Sequence, residues 1–348
     1  MAKKKVNVKN IYIALGFIVV LGGYLLFFDN SIEESKKNKN KLFKYTLADV
    51  SKFEIQKADS VISLKRDKND WKIIKPRQLQ ASKSDVEIYL QDVKDLEIKK
   101  KLGTDVPDLK PYGLDAPKFV FKVWLGNNKL LTLNVGNQNP DKSGYYAKFE
   151  NRPDLFLLDI IAESTIDKDL MYFRYKDIID ADINKIEKFT ISVNNENYIF
   201  TKKDNQWNIV SPVEWSDLSD SDSVRFLTTV KDLKVKTYYD DSNKVSVSDA
   251  GLLNPQVKIV LTDTEKHEYS ISIGKEVKDK SEYYARKDDE ILVFGVDKYT
   301  VDNLQKDLTK LKSDIEEKIK KKKEEEKKKA AEEKAKKNNK KESEKNEK

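Results

Sequence analysis

The strongest constraint on the fold is that the chain repeats itself. Val50-x-Lys52-Phe53-x-Ile55 returns as Ile186-x-Lys188-Phe189-x-Ile191, and Trp71-Lys72-Ile73-Ile74-Lys75-Pro76 returns as Trp207-Asn208-Ile209-Val210-Ser211-Pro212, both 136 residues later. The segment from Val93 to Lys99 returns at an offset of 137 as Val230 to Lys236. Gly113-Leu114-x-x-Pro117, Gly136, Tyr145-Tyr146-Ala147 and Asp159 then return at 138 as Gly251-Leu252-x-x-Pro255, Gly274, Tyr283-Tyr284-Ala285 and Asp297. Motif order is kept and the offset changes only between motifs, as in a duplicated unit that has accepted insertions in its loops. Any fold assigned to one copy must therefore also suit the other.

Within each copy the apolar period is mainly two, the mark of half-buried strands. Phe119, Phe121 and Val123 alternate with outward positions, and Val257, Ile259 and Leu261 do the same. One helix interrupts the strands. Ser84-Asp85 can cap it, and Val86, Tyr89, Leu90, Val93 and Leu96 fall at helical spacing. Its twin begins near Ser221-Asp222 and presents Val224, Leu227, Val230 and Leu233. Loops such as Gly126-Asn127-Asn128 and Asp141-Lys142-Ser143-Gly144 suit antiparallel hairpins. The pattern predicts an α+β class: two tandem β-rich domains of mostly antiparallel sheet. Each has a three-strand meander, one main helix and four or five further strands.

The extremities differ from this body. Ile11 to Phe28 is an 18-residue run without a charge, preceded by Lys3, Lys4, Lys5 and Lys9 and followed by Asp29, Glu33 and Glu34. A helix of that length spans roughly 27 Å, enough to cross a bilayer core. The basic flank predicts an N-terminus inside and a body outside the cytoplasmic (inner) membrane, in the periplasm or its equivalent. No small-x-small cleavage pattern follows the run, so the expectation is an uncleaved signal anchor. The expected order is a basic segment 1–10, an anchor 11–28, a linker 29–46 and repeats at 47–178 and 179–310. A Lys/Glu-rich tail follows at 311–348, and from about Glu316 onward it is too polar to form a core. Residues 316–348 hold 15 Lys and 10 Glu and no aromatic residue. Without its basic ends the body is slightly acidic, which gives no footprint for nucleic acid.

Chemistry-bearing patterns are scarce. There is no cysteine, which excludes disulfides, thiolate metal sites, a Cys nucleophile and a lipoprotein anchor. The single His267 lies in a polar hairpin and corresponds to Lys129, as a solvated strand end would. Asp217, Asp220 and Asp222, and likewise Asp240-Asp241, lack the spacing of a calcium loop. No cofactor, metal or catalytic residue is expected. Paired carboxylates of a polymer hydrolase are a three-dimensional feature and stay open.

The repeated motifs read first as structure. Trp71 and Trp207 are core or rim anchors at strand starts, and Pro76 and Pro212 belong to the same repeated structural motif. In Tyr112-Gly113-Leu114-Asp115-Ala116-Pro117, Gly allows a positive φ, Leu plugs the domain and Pro leads into the next strand. Gly251, Leu252 and Pro255 repeat it, and Gly136 and Gly274 look like bulge or turn residues beside Tyr146 and Tyr284.

Taken in order, Trp-x-Ile-x-x-Pro, a short helix, Tyr112 to Pro117, a strand, Val135-Gly136 and Tyr146-Ala147-Lys148 resemble a bacterial family, domain of unknown function 4340, over most of residues 47–310. The resemblance implies a membrane-anchored accessory protein that works with an ABC-type transporter and its gliding-motility-like auxiliary subunit. It supplies no catalytic residues. The second copy departs from the pattern at Ala250 for Tyr112 and at Leu253-Asn254 for Asp115-Ala116. The turn of Tyr112, Gly113, Leu114, Asp115 and Pro117 is accordingly the candidate partner contact. The expected function is a non-enzymatic accessory or binding role. The alternative is a cell-envelope polymer hydrolase or ligand-binding protein with a carboxylate-lined cleft between the repeats.

Overall fold

The computed structural model describes residues 40–126, 129–216, 218, 220–240 and 243–346. The expected basic segment, anchor and most of the linker lie outside the described residues. Among the described residues no helix is long and apolar enough to cross a membrane. The chain divides into two compact units between Tyr175 and Lys176, three residues before the expected boundary.

In the first unit a meander of β1 (Val50–Gln56), β2 (Val61–Asp67), β3 (Asp70–Lys75) and β4 (Leu79–Gln80) leads into α1 (Lys83–Asp95). Then come β5 (Ile98–Thr104), β6 (Phe119–Leu125), β7 (Lys129–Gln138), β8 (Gly144–Phe149) and β9 (Asp154–Asp159), and the short helices α2 (Ile161–Ile166) and α3 (Leu170–Phe173). The second unit has β10 (Ile186–Val193), β11 (Glu196–Lys203), β12 (Gln206–Ser211), α4 (Asp220–Lys231) and β13 (Thr237–Tyr238). It ends with β14 (Val257–Asp263), β15 (Glu268–Glu276), β16 (Glu282–Lys287), β17 (Phe294–Asp297) and α5 (Lys298–Asn346).

Each unit builds one antiparallel sheet. The strand orders are β4-β3-β2-β1-β6-β7-β8-β9-β5 and β12-β11-β10-β14-β15-β16-β17-β13. After the helix the chain adds the far edge strand, then returns to pair with the first strand of the meander. The duplication extends to register faults: bulges between Val50 and Lys52, Ser63 and Leu64, and Val135 and Gln138 recur between Ile186 and Lys188, Ile199 and Phe200, and Ile273 and Glu276. Ile73 opposite Leu79 recurs as the Ile209–Trp215 bridge.

The helix covers one sheet face. Phe53, Trp71, Tyr89, Phe121 and Phe173 form a fully buried ring cluster in the first unit. In the second, Phe189 stacks on Phe200 at 4.2 Å beside Trp207 and Phe226. Each such side chain stabilises its unit by up to about 3 kcal/mol on burial.

Three local readings change. The N-cap of α1 is Ser82, not Ser84-Asp85; its hydroxyl accepts from the Asp85 N–H. In α4 Val224 is exposed, while Ser223, Phe226, Leu227 and Val230 are buried. At the helix offset of 137 these four match Val86, Tyr89, Leu90 and Val93; Leu227, Val230 and Leu233 face inward as expected, and Val224 alone does not, its place being taken by Ser223. The core of the second unit runs past the expected domain end at residue 310 and stops before Glu316. Along α5, Val301, Leu304, Leu308, Leu311 and Ile315 are buried at alternating spacings of three and four. Packing therefore runs past residue 310, with Ile315 the last buried residue among the described residues of the helix and Lys318 lying over the Trp215 ring.

Candidate interaction site

Both copies of the Gly-Leu turn are built alike. Leu114 N–H donates to the Leu109 carbonyl at 3.1 Å and Gly113 N–H to Lys110 at 3.1 Å; Leu252 donates to Val247 at 2.9 Å and Gly251 to Ser248 at 3.0 Å. This is the closure of a helical turn by a left-handed residue, and Gly113 and Gly251 have φ of +66° and +71°. The next residue, Leu114 or Leu252, is thereby turned inward and buried. In the second unit it joins Tyr239, Ala250, Val277 and Val293 in a small cluster separate from the main core.

Gly136 and Gly274 explain how close the turn lies. A Cβ on Gly136 would meet the Tyr112 carbonyl oxygen at 2.1 Å, and one on Gly274 would meet that of Ala250 at 2.1 Å. Each glycine lies at its strand's bulge, and Lys275 N–H donates to the Ala250 carbonyl at 2.9 Å. Most of the motif is thus consumed by the fold. Tyr112 and Pro117 are half-buried, and only Asp115 and Ala116 of the turn's tip are exposed. The exposed tip of the second copy is Leu253-Asn254, with Leu253 67% exposed. Pro76 and Pro212 each follow a cis peptide bond at the ends of β3 and β12.

The loss of the Tyr112 ring in the second copy is made good from elsewhere. Tyr112 meets Tyr146 edge-on at 4.9 Å, and Tyr239 meets Tyr284 at 4.9 Å. Tyr239 follows the edge strand β13. It also holds a buried carboxylate: Glu282 accepts from Tyr239 Oη at 3.2 Å and Thr237 Oγ1 at 3.0 Å. Burial, then the charge of Glu282, pushes the Tyr239 phenol well up. Room for Glu282 comes from Gly295, where a Cβ would lie 2.0 Å from Glu282 Oε2. The first copy has Gly144 and Leu157 at these positions, so a paired small-for-large exchange at offset 138 was the available signal.

Just past Pro117, Lys118 and the Tyr145 hydroxyl both donate to Glu163 of α2. Lys118, then Tyr145, holds the Glu163 carboxyl below its ordinary range, and the bond to Glu163 pushes Tyr145 up to about 12. The second copy repeats the scheme with Tyr283 donating to Asp302 of α5 at 2.8 Å.

Other candidates have structural uses. His267 Nδ1 lies 3.1 Å from Asp263, whose carboxylate also accepts from the backbone N–H of Glu265 and His267, closing the hairpin. Burial pushes Asp263 up, and the hydrogen bonds from His267 and Glu265 outweigh it. Asp217 and Asp241 lie outside the described residues. A groove of about 580 Å³ in the first unit is lined by Asp92, Asp95, Glu97 and Asp159. Asp95 there is held low by Gln91 and then Lys41, and so stays ionised. No cluster of three metal-ligating side chains occurs among the described residues.

A family model described as a domain of unknown function (DUF4340) matches residues 71–248. The match begins at Trp71 in β3 and stops short of the second Gly-Leu turn, a shorter span than the 47–310 expected from the motifs. No curated protein and no solved structure matches the chain.

Proposed function

The chain belongs to the domain of unknown function 4340 family, and from that premise we propose that it is a membrane-anchored, extracytoplasmic, non-enzymatic accessory protein that binds a protein partner, an ABC-type transport complex in the same membrane. One observation carries the reading: both copies keep the Gly-Leu pair and the bulge glycine that seats it, yet they expose different tips, Asp115-Ala116 in one and Leu253-Asn254 in the other. A fold kept twice with two different exposed tips suits recognition, where side chains at a fixed position choose the partner. Resolved carboxylate shifts at Asp95, Glu163, Asp263, Asp288 and Asp297 are all downward, the state of ionised, paired groups. General acid catalysis calls for the opposite shift. The apolar run 11–28 supplies the tether.

A second reading, a protein acting on envelope polymer, draws on the groove of Asp92, Asp95, Glu97 and Asp159. One experiment separates the two. The tagged chain is crosslinked in its native membrane, purified and analysed by mass spectrometry, beside Asp115→Lys and Leu253→Lys variants, whose exposed positions spare the fold. Recovery of transporter subunits that is lost in either variant supports the accessory role. Retention of envelope polymer with no protein partner overturns it.

A further inference from the structure

The second unit serves as a control for the first, because the same fold is built twice and whatever the fold does not need is free to differ. On the sheet face away from α1, Lys52 stands opposite Lys65 and Trp124, and Glu54 opposite Ser63 and Lys122, with Lys75 opposite Ser63. The only carboxylate in that central block, Glu54, is buried and taken up by Lys52 at 2.7 Å, Gln56 at 2.9 Å and Ser63 at 3.0 Å. Lys52 also lies 4.1 Å from the centre of the half-buried Trp124 ring. Lys65 and Lys75 are exposed and Lys122 is half-exposed. The result is a block of lysines around an indole, with its one acid already neutralised.

The matching positions of the second unit, identified by the same cross-strand register, are Lys188, Thr201, Ser211, Val260 and Thr262, with Thr190 for Glu54. Three of four lysines and the tryptophan are gone, while the opposite face keeps Phe53 as Phe189, Ile55 as Ile191 and Trp71 as Trp207. The sheet folds without the basic block. Charge has diverged across the whole units as well: residues 40–175 hold 24 basic and 20 acidic side chains, and residues 176–315 hold 21 and 27.

We propose that this outward face of the first sheet docks on the anionic phospholipid headgroups of the membrane that holds the chain. Compact lysine charges attract an anionic headgroup layer, and tryptophan favours the bilayer interface. The occupant is lipid because of reach. Thirteen residues separate Phe28 from Leu42, the first buried residue of the unit, and fully extended they span on the order of 45 Å. The proposal rests on the anchor assigned to residues 11–28.

The test uses the full chain in nanodiscs of phosphatidylcholine alone, or of phosphatidylcholine mixed with phosphatidylglycerol. An amine-reactive label is read by mass spectrometry at each lysine. Labelling at Lys52, Lys65, Lys75 and Lys122 is expected to slow about fivefold in the anionic discs, with Lys188 and Lys258 of the second unit unchanged. A variant carrying the second unit's residues, Lys65→Thr, Lys75→Ser, Lys122→Val and Trp124→Thr, is expected to lose the slowing at Lys52. Equal labelling of the incorporated chain in both discs overturns the lipid contact while leaving the anchor standing. Protection of the same lysines in phosphatidylcholine discs only when soluble polyphosphate is added also overturns it, in favour of a soluble polymer. A chain that does not enter discs removes the anchor and this proposal together.

Discussion

Gly136→Ala tests the close docking of the Gly-Leu turn most directly, because one methyl group separates the observed packing from a clash. An added Cβ would sit 2.1 Å from the Tyr112 carbonyl oxygen and 2.9 Å from the Gly113 carbonyl carbon and oxygen. Both contacts are backbone, so no rotamer change relieves them. The φ of Gly136 is not in the left-handed region, and the cost is therefore steric alone. Pushing the turn off the bulge also loosens Leu114, which is 5% exposed. Overpacking costs about 1–3 kcal/mol, and partial release of a buried leucine brings the expected loss to about 3 kcal/mol. At an m-value of about 2 kcal/mol/M this lowers the urea midpoint of the first unit by about 1.5 M. Gly126→Ala is the control, since nothing lies within 4 Å of its added Cβ. Tryptophan fluorescence follows the transition. If the two variants unfold at the same urea concentration, the turn is not seated against β7 and the argument for its structural role fails.

Three further outcomes follow from particular contacts. Tyr239→Phe removes one of two hydroxyl donors from buried Glu282 and should cost the second unit about 1–3 kcal/mol in urea denaturation, while Tyr112→Phe in the first unit should be nearly silent. In α4, Phe226→Ala should cost about 3–5 kcal/mol and the exposed Val224→Ala less than about 0.5 kcal/mol, reversing the order expected from helical spacing. The Glu163 carboxyl is held low by Lys118 and then Tyr145. Its stabilisation is thus fully present above the ordinary glutamate value of 4.5 and lost as pH falls below it. Lys118→Met should lower the neutral plateau of the stability curve slightly, read as urea midpoint against pH, and leave the acid end nearly unchanged, so that the acid limb flattens.

The reach and limits of the sequence have physical reasons. Strand faces were legible because a period of two admits one inward set, and the copies checked each other: Phe119, Phe121 and Val123 are buried as Val257, Ile259 and Leu261 are. In the helix of the second copy only Val224 was misplaced: at the offset of 137 it aligns with the half-buried Glu87, and the buried Val86 is matched by Ser223, a polar residue that apolar spacing does not pick out. The cap of α1 was misplaced because Ser82 and Ser84 both precede apolar residues, and only backbone geometry selects between them. Tyr239 and Glu282 were invisible to motif comparison because they replace a contact instead of repeating a residue. Leu311 and Ile315 were left outside the expected second domain because they stand alone among polar residues at the edge of the Lys/Glu-rich run.

The inward stripe on α5 decides what the last helix can do. Val301, Leu304, Leu308, Leu311 and Ile315 continue a single seam, and the next two positions of the same spacing are Lys318 and Lys322. The seam stops being apolar there, so the helix cannot stay against the unit beyond its next turn, and the remaining Lys/Glu run is held by pairs such as Glu317 to Lys321 at 2.6 Å. Pairs of this kind are worth only about 0.3–0.5 kcal/mol each. Truncation after Ile319 should therefore leave the melting of the second unit almost unchanged. Truncation after Lys310 removes Leu311 and Ile315 together and should cost about 4 kcal/mol or more, read as loss of the second unit's thermal transition with the first unit's retained. If truncation after Lys310 melts like the full chain, the apolar seam of α5 is not part of the second unit's core.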